Sequence, residues 1–393
     1  MILHRFAAHL TVGLVALSLA GCVASEPKPT PTGAATPAPT PTSDPVAAGP
    51  TPRIDATCGD LLDASALQAF VGVSGQPLSA VTAADRLTPD AAAVEQLGAL
   101  TCRWTNGLEG DPFTAPELSI QEIELSILPE GLDAAIEYVD LYQIADPTYG
   151  EHVQGPRCVD PVGSATFGNC ELFGVIGQTW IEFHVSGIVA AEGPGEDELV
   201  AGFRGIVDPM VAAVAAMTPR ERWVPETSSM IGDSECDALA PTDEIIGITA
   251  IPNLRVGLQW DGPHVGQYWY GTQQVGAMRC SLGLSDSDAA VGQIGILPSG
   301  IWGFDRYRDA WIDAGGTPVE LTGVEAGHAI ARCADPARAC LLDFTVAGDW
   351  VRVLVYPAPS SGSDGGPPAG YFVSARAAVS EIASLVAGRI ASH

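Results

Sequence analysis

The amino-acid sequence predicts an α+β fold that is built twice, as two tandem similar domains, each an antiparallel sheet packed with helices. Cysteines recur with a shared spacing in the two halves of the chain, and short segments around them repeat in the same order. In each half, a stretch of alternating apolar and polar residues precedes a long segment with helical periodicity. Strands and helices arranged in this way favour an antiparallel sheet with helices packed on it.

Composition and charge narrow the class of protein. The 393 residues are 47% hydrophobic and 7% aromatic, which suffices for packed cores and excludes a wholly disordered chain. Against 47 aspartates and glutamates stand 18 lysines and arginines, which gives a net charge of −29. A surface of this sign repels phosphate, so nucleic acid is excluded as a partner.

Residues 1–21 are predicted to be a lipoprotein signal peptide. Arg5 supplies a positive charge, and residues 7–20 form an apolar stretch. At ~1.5 Å per residue this stretch is shorter than a hydrocarbon core of ~30 Å, which disfavours a permanent transmembrane helix. It ends in Leu19-Ala20-Gly21-Cys22, which resembles the lipobox of bacterial lipoproteins. The resemblance implies a diacylglyceryl anchor on Cys22 at the extracytoplasmic face of the cell membrane; an ordinary secretory signal is the alternative.

Residues 22–53 are predicted to be the lipidated cysteine followed by a Thr/Pro-rich tether. Repeats such as Pro29-Thr30-Pro31-Thr32 fix the backbone and offer little apolar surface for a core. We expect a semi-rigid spacer, which at ~3.1 Å per residue reaches up to about 100 Å. Thr-Pro runs also suit O-glycosylation in an exported protein, with an unmodified spacer as the alternative.

The eight cysteines after Cys22 indicate an internal duplication. Their separations are 44, 56 and 12 residues in the first half and 44, 53 and 7 in the second. Residues 95–102 resemble 273–280, residues 127–131 resemble 296–300, and residues 157–161 resemble 332–336. Repeats in one order indicate two copies of one unit. We assign copy 1 to residues 54–218, a linker to 219–233 and copy 2 to 234–393.

Each copy is predicted to contain the same elements. A short helix follows the first cysteine, near residues 63–71 in copy 1 and with Thr242 as its N-cap in copy 2. A strand is expected over 118–128, with a helix after Pro129 and after Pro298. The clearest strands place Ile181, Phe183 and Val185, or Val351, Val353 and Val355, on one apolar face. Closing helices are expected over 197–217 and 371–391.

Export to an oxidising compartment predicts disulfide bonds. Confined within a copy, four cysteines allow three connectivities. We choose the one in which the short pairs close hairpins and the long pairs join the first helix to the sheet. This choice gives Cys58–Cys102, Cys158–Cys170, Cys236–Cys280 and Cys333–Cys340. No CxxC occurs and zinc-ligand spacings are absent, so no metal site is predicted. Arg157 and Arg332, each before the third cysteine, are expected to pair with neighbouring carboxylates.

Sequence motifs point to binding more than to catalysis. No GxSxG, GxGxxG or P-loop occurs, so neither a catalytic residue nor a cofactor is predicted. The candidate ligand-binding residues are Trp260, Tyr268, Trp269 and Tyr270, because Tyr and Trp are enriched at binding surfaces. We interpret them as a shallow surface for wall glycan or peptide. The alternative is a β-hairpin packed on the core.

The motif Cys58-Gly59-Asp60-Leu61-Leu62, followed by Cys102-Arg103-Trp104, resembles a family of actinobacterial cell-envelope lipoproteins known as a domain of unknown function. The resemblance covers copy 1; in copy 2, Cys280-Ser281-Leu282 lacks the tryptophan. It implies a location rather than an activity. It also implies an alternative fold, a Mog1/PsbP-like α/β/α sandwich.

Together these features predict a cell-envelope lipoprotein that is a non-enzymatic binding or scaffold module. Its expected partners are the membrane, through diacylglyceryl Cys22, and a wall glycan, a peptide or an envelope protein. The alternatives are a hydrolase of envelope polymers and an extracytoplasmic sensor or partner protein. A pocket with a buried carboxylate of raised pKa next to a second acid would favour the hydrolase.

Overall fold

The computed structural model describes the chain from Gly49 to Ser392 with gaps. The described residues are 49–72, 76–82, 87–108, 120–133, 135–136, 149–150, 152–159, 167–189, 195–225, 235–258, 266–285, 290–333, 339–360 and 371–392. The predicted signal peptide, Cys22 and most of the tether lie outside these ranges, as does Trp260. Within them, no helix combines the length and the apolar character needed to cross a membrane.

Copy 1 is an antiparallel sheet with helices. Its helices are α1 (Cys58–Leu61), α2 (Ala64–Val71), α3 (Ala92–Gln96) and α4 (Glu196–Ala215). Its strands are β1 (Ser79–Ala80), β2 (Leu100–Thr105), β3 (Glu122–Pro129), β4 (Val153–Val159), β5 (Phe167–Ile176) and β6 (Thr179–Val189). Within the described residues the strand order is β1-β2-β3-β6-β5-β4.

Copy 2 repeats this plan. Its helices are α5 (Cys236–Leu239), α6 (Thr242–Thr249), α7 (Gly266–Val275), α8 (Ile301–Asp313) and α9 (Tyr371–Ile390). Its strands are β7 (Leu254–Leu258), β8 (Met278–Leu284), β9 (Ala290–Leu297), β10 (Thr317–Pro318), β11 (Ala329–Arg332), β12 (Cys340–Val346) and β13 (Asp349–Ser360). Read from β7, the order β7-β8-β9-β13-β12-β11 matches that of copy 1, and β10 extends the far edge. The predicted α+β fold with two sheets is confirmed.

The two apolar faces predicted from alternation form the main cores. In copy 1, Ile181, Phe183 and Val185 pack with Phe203 and Val207 of α4. In copy 2, the corresponding strand β13 packs against α9 in the same way. Helix α8 packs on the opposite face of the second sheet, against Trp350. Copy 2 therefore has helices on both faces of its sheet.

Four disulfide bonds link the described cysteines. The pairs are Cys58–Cys102, Cys158–Cys170, Cys236–Cys280 and Cys333–Cys340. They are the pairs chosen from the sequence. Each long bond joins the first helix of a copy to the second strand of its sheet, and each short bond joins neighbouring segments at the opposite edge.

The end of the predicted tether packs on the folded body. Arg53 is 5% exposed, and its guanidinium lies 2.7 Å from the Glu130 carboxylate and donates to the Arg220 carbonyl at 2.8 Å. In copy 2, Arg306 donates to the Pro50 carbonyl at 2.6 Å. Residues 49–53 therefore contact both copies and the segment between them, although composition alone assigns them to the spacer.

Two local expectations differ from the structure. Pro241, not Thr242, is the N-cap of α6. The Thr242 hydroxyl instead donates to Asp237 and accepts from the Val256 N–H at 3.2 Å, because the edge strand β7 runs beside it. The alternative hairpin around Tyr268 is wrong, since Gly266–Val275 is a helix.

Candidate functional site

The described members of the predicted aromatic surface lie on α7. The Tyr268 hydroxyl donates to the Asp90 carboxylate of copy 1, and the Tyr270 ring lies 6.0 Å from that of Trp180. Successive helical residues point about 100° apart, so the three aromatic side chains do not share one face. Tyr268 keeps 37% of its surface exposed. Two of the four predicted residues thus contact copy 1, and ligand binding at this surface stays a prediction.

Helix α7 meets its own counterpart in copy 1. Cys102 and Cys280 are equivalent, and the helices α3 and α7 immediately precede them in the two copies. The two helices pack at Val94 and Gly271: a Cβ built on Gly271 would lie 2.9 Å from Val94 Cγ2 and 3.1 Å from its backbone nitrogen. Only a glycine permits so close an approach. The contact between the copies is therefore centred on equivalent helices.

Each copy also places the segment before its second cysteine on the sheet of the other. In copy 2, Gln267 donates to the carbonyls of Ser126 at 3.2 Å and Trp180 at 2.9 Å. In the reverse direction, Arg352 of β13 donates to the Leu87 carbonyl at 2.9 Å. Reciprocal contacts of this kind are the pattern of a two-fold interface, here formed within one chain.

Glu182 of β6 lies beneath the start of α7. The backbone N–H of Gln267 donates to Glu182 Oε1 at 2.8 Å, and a Cβ on Gly266 would lie 3.1 Å from the same oxygen. Desolvation by the surrounding protein raises the pKa of Glu182 to about 7. The Gln267 hydrogen bond opposes this increase, and the negative charge of Glu124 adds to it. Glu182 as a whole residue is partly buried.

The equivalent position in copy 2 carries the opposite charge. Trp180 and Trp350 correspond in the two strands, so Glu182 corresponds to Arg352. Arg352 donates at 2.7 Å to Asp343, which also accepts from the Trp350 indole N–H at 3.0 Å. Arg332 lies 2.7 Å from the same carboxylate. Asp343 is completely buried and is neutralised by two guanidinium groups, whereas Glu182 faces a helix N-terminus.

A row of charged side chains crosses the sheet of copy 1. It passes through His184, which is the next residue after Glu182 on the same face of β6. Strand register places Arg103, Glu124, His184, Glu171 and Arg157 side by side on β2, β3, β6, β5 and β4. At about 4.8 Å between strands, the row is roughly 19 Å long. Of its members, Glu124 and Arg157 are the most exposed, with 54% and 45% of their side-chain surfaces accessible. We call these five residues the charged row.

Ion pairs order both ends of the charged row. Arg103 pairs with Glu122 and, at 3.4 Å, with Glu124, while Arg157 pairs with Glu171. His184 lies between the two carboxylates; burial lowers its pKa, and Glu171 and Glu122 oppose that change. The expected pairing of Arg157 and Arg332 with neighbouring carboxylates is confirmed.

The charged row has no equivalent in copy 2. Register there aligns Ser281, Gln293, Leu354, Leu341 and Arg332. Four of the five positions that carry a charged or titratable side chain in copy 1 therefore carry a neutral one in copy 2. The two copies nevertheless share the strand order and the disulfide bonds. The sequence indicated only that His184 corresponds to Leu354, because the row depends on the register of five strands.

A second histidine lies in copy 2 beside a hydroxyl group. His328 Nδ1 is 2.8 Å from Thr345 Oγ1, and its charge lowers the pKa of Asp305, which burial raises by a larger amount. Thr345 is only 5% exposed, so a substrate cannot reach its hydroxyl. Among the described residues, no group of three or more His, Cys, Asp or Glu side chains is placed to hold a metal ion.

Comparison of the chain with protein-family models, curated proteins and solved structures found no match in any of the three.

Proposed function

We propose that the protein is a lipid-anchored, extracytoplasmic binding module that holds its ligand on the charged row of copy 1. The observation that carries this proposal is the difference between the copies. Both keep the sheet, the disulfide bonds and the reciprocal helices, but copy 1 alone displays Arg103, Glu124, His184, Glu171 and Arg157 in register. Copy 2 then serves as the scaffold that supports the charged face.

The order of charges indicates the ligand class. Cationic ends at Arg103 and Arg157 flank carboxylates at Glu124 and Glu171. Guanidinium groups bind carboxylates through paired donors, and carboxylates accept from ammonium and amide groups. A peptide offers both kinds of group along an extended backbone, whereas a neutral glycan offers neither charge. A wall peptide or a segment of an envelope protein therefore fits the charged row better than a glycan.

The sequence supports the membrane location. Leu19-Ala20-Gly21-Cys22 fits the lipobox pattern, and a diacylglyceryl group supplies the two chains that stable anchoring requires. The Thr/Pro-rich spacer after Cys22 would hold the folded body away from the bilayer. This arrangement suits a module that binds wall or envelope components.

The test compares capture by matched variants. Immobilised mature protein is incubated with envelope extract and with wall peptides, and bound material is quantified for the wild type, Arg103→Ala/Arg157→Ala and the control Arg308→Ala. Arg308 is a partly exposed arginine of copy 2 that pairs with its neighbour Asp309. We expect a loss of at least tenfold in peptide retention in the double variant and none in the control. Equal retention by all three proteins would refute the charged row as the ligand face.

The hydrolase alternative is favoured by one observation, the raised pKa of Glu182 beside Glu124. A protonated carboxyl near neutral pH can serve as a general acid, with a second carboxylate as its partner. Gly266 and Gln267, however, lie directly on the Glu182 carboxyl, so a polymer reaches it only when α7 moves away. Release of soluble products from envelope polymers by the wild type, and its loss in Glu182→Gln, would establish the hydrolase in place of the binding module.

A further inference from the structure

The start of α7 is held on copy 1 by a compact set of hydrogen bonds. The Gln267 side chain donates to the carbonyls of Ser126 and Trp180, and the Ser126 hydroxyl donates to Gln267 Oε1 at 2.7 Å. The Gln267 backbone N–H donates to Glu182. The Gln267 side chain is 1% exposed. In this set, Glu182 is the one group that can gain or lose a proton near neutral pH.

Among the described residues, no arginine, lysine or histidine forms an ion pair with Glu182. The strand register places Ser126 of β3 and Phe173 of β5 beside Glu182. His184 is the next residue of β6 on the same face, with Glu124 of β3 and Glu171 of β5 on either side of it. Arg103 of β2 is engaged by Glu122 and Glu124. The described residues of α7, 266–275, contain no charged side chain, and Asp261 and His264 lie outside the described residues. No described salt bridge involves Glu182.

We propose that the protonation of Glu182 controls how firmly α7 of copy 2 docks on the sheet of copy 1, which makes the contact between the copies sensitive to pH. The carboxyl of one copy caps a helix of the other, and Arg352 at the equivalent position has a permanent counter-charge in Asp343. The two halves of the reciprocal interface therefore respond differently to protons. The inference does not depend on the identity of a ligand.

The direction of the effect follows from linkage between proton binding and docking. In the docked state the pKa of Glu182 is raised from 4.5 to about 7, whereas in an undocked state water restores the ordinary value. The docked state therefore binds the proton more tightly, and docking is strongest below pH 4.5. It weakens as the pH rises towards 7 and is constant above that value. Each pKa unit corresponds to about a tenfold change in the docking equilibrium, so the total change is on the order of a hundredfold.

Hydrogen exchange of the intact mature protein between pH 5 and pH 8 tests this inference. Protection of peptides covering residues 266–275 is measured by mass spectrometry, corrected for the intrinsic pH dependence of exchange, and compared with that of α9, residues 371–390. In the wild type we expect protection of 266–275 to fall by ten- to a hundredfold as the pH rises, while that of α9 is constant. In Glu182→Gln, which imitates the protonated carboxyl, protection should be independent of pH.

Two further variants assign the titrating group. Glu124→Gln removes a neighbouring negative charge and should lower the midpoint of the transition, whereas His184→Gln should retain the transition. Protection of 266–275 that does not vary with pH in the wild type would overturn the proposal. So would the same transition in Glu182→Gln, or its disappearance in His184→Gln. If Glu182→Gln does not fold, the midpoint of the pH transition in Glu124→Gln is compared with that of the wild type. A lower midpoint supports the proposal, and an unchanged midpoint overturns it.

Discussion

The indole N–H of Trp302 in copy 2 donates a hydrogen bond to the Gln96 side-chain oxygen in copy 1 at 2.9 Å. The Gln96 amide nitrogen in turn donates to the Pro298 carbonyl at 3.0 Å, and both side chains are almost completely buried. The two residues are 206 positions apart in the chain. A single amide thus satisfies two polar groups of the other copy, and it fixes where α3 lies against α8.

Replacing Gln96 is therefore expected to destabilise the whole protein. Gln96→Ala leaves the Trp302 N–H and the Pro298 carbonyl without partners, and each unsatisfied buried group costs about 1–3 kcal/mol. Gln274 is the equivalent residue of copy 2 and is exposed, so Gln274→Ala should change the free energy of unfolding by no more than about 0.5 kcal/mol. Urea unfolding followed by tryptophan fluorescence measures both. Similar values for the two variants would contradict the role assigned to Gln96.

Asp343 should be the most sensitive carboxylate of copy 2. It is completely buried and holds Arg332, Arg352 and the Trp350 indole N–H. Asp343→Asn removes the carboxylate that pairs with the buried Arg352 guanidinium, and breaking such a pair costs about 3–5 kcal/mol.

The control for this prediction is Asp309→Asn. The Asp309 side chain is 83% exposed and pairs only with its neighbour Arg308 among the described salt bridges. Exposed pairs contribute about 0–1 kcal/mol, so the control should unfold at nearly the same urea concentration as the wild type. An Asp343→Asn variant as stable as this control would show that the buried cluster does not support the sheet.

The helix contact between the copies predicts opposite effects for two glycine substitutions. Gly271→Ala places a Cβ 2.9 Å from Val94 Cγ2 and 3.1 Å from its backbone nitrogen, so the helices must move apart. Overpacking of this kind costs about 1–3 kcal/mol. Gly388, in α9, has no atom within 4 Å of an added Cβ, and Gly388→Ala should stabilise the helix by about 0.5–1 kcal/mol. Thermal unfolding decides the matter: a higher midpoint for Gly271→Ala would refute the close contact.

Lipidation at Cys22 is the most direct prediction from the N-terminal sequence. Cys22→Ser removes the thiol on which the diacylglyceryl group is predicted, so labelling with a radioactive fatty-acid precursor should disappear and the protein should leave the membrane fraction. Ser25→Ala, three residues further along, is the control and should be labelled like the wild type. Labelling that persists in Cys22→Ser would contradict the predicted anchor.

The sequence was sufficient for the features that depend on local patterns. Alternation around Trp180 and Trp350 predicts the two central strands, because strands with one buried face have a period of two. Shared cysteine spacing confines the disulfide bonds to each copy and leaves three connectivities. The structure has the connectivity in which the short pairs join neighbouring strands and the long pairs join the first helix to the sheet.

Helix α7 and the charged row, in contrast, depend on contacts between residues that are far apart in the chain. Helix α7 contains Tyr268, Trp269 and Tyr270, which are modest helix formers, and its start is stabilised by Glu182, 85 residues away. Glu182 itself looks like any polar residue on the outer side of a strand. The charged row requires the register of five strands, which no local pattern determines. Tertiary contacts, rather than local propensity, thus form the candidate site.

The reciprocal packing of the two copies underlies both the supported face of copy 1 and the proton-sensitive contact at Glu182. Differential scanning calorimetry of the mature chain measures it most directly. Two copies joined by α3, α7 and the buried pair Gln96–Trp302 should unfold in one transition, with equal calorimetric and van't Hoff enthalpies. Two separate transitions, with Gln96→Ala shifting only one of them, would show that the copies fold as independent domains and would contradict the interlocked structure.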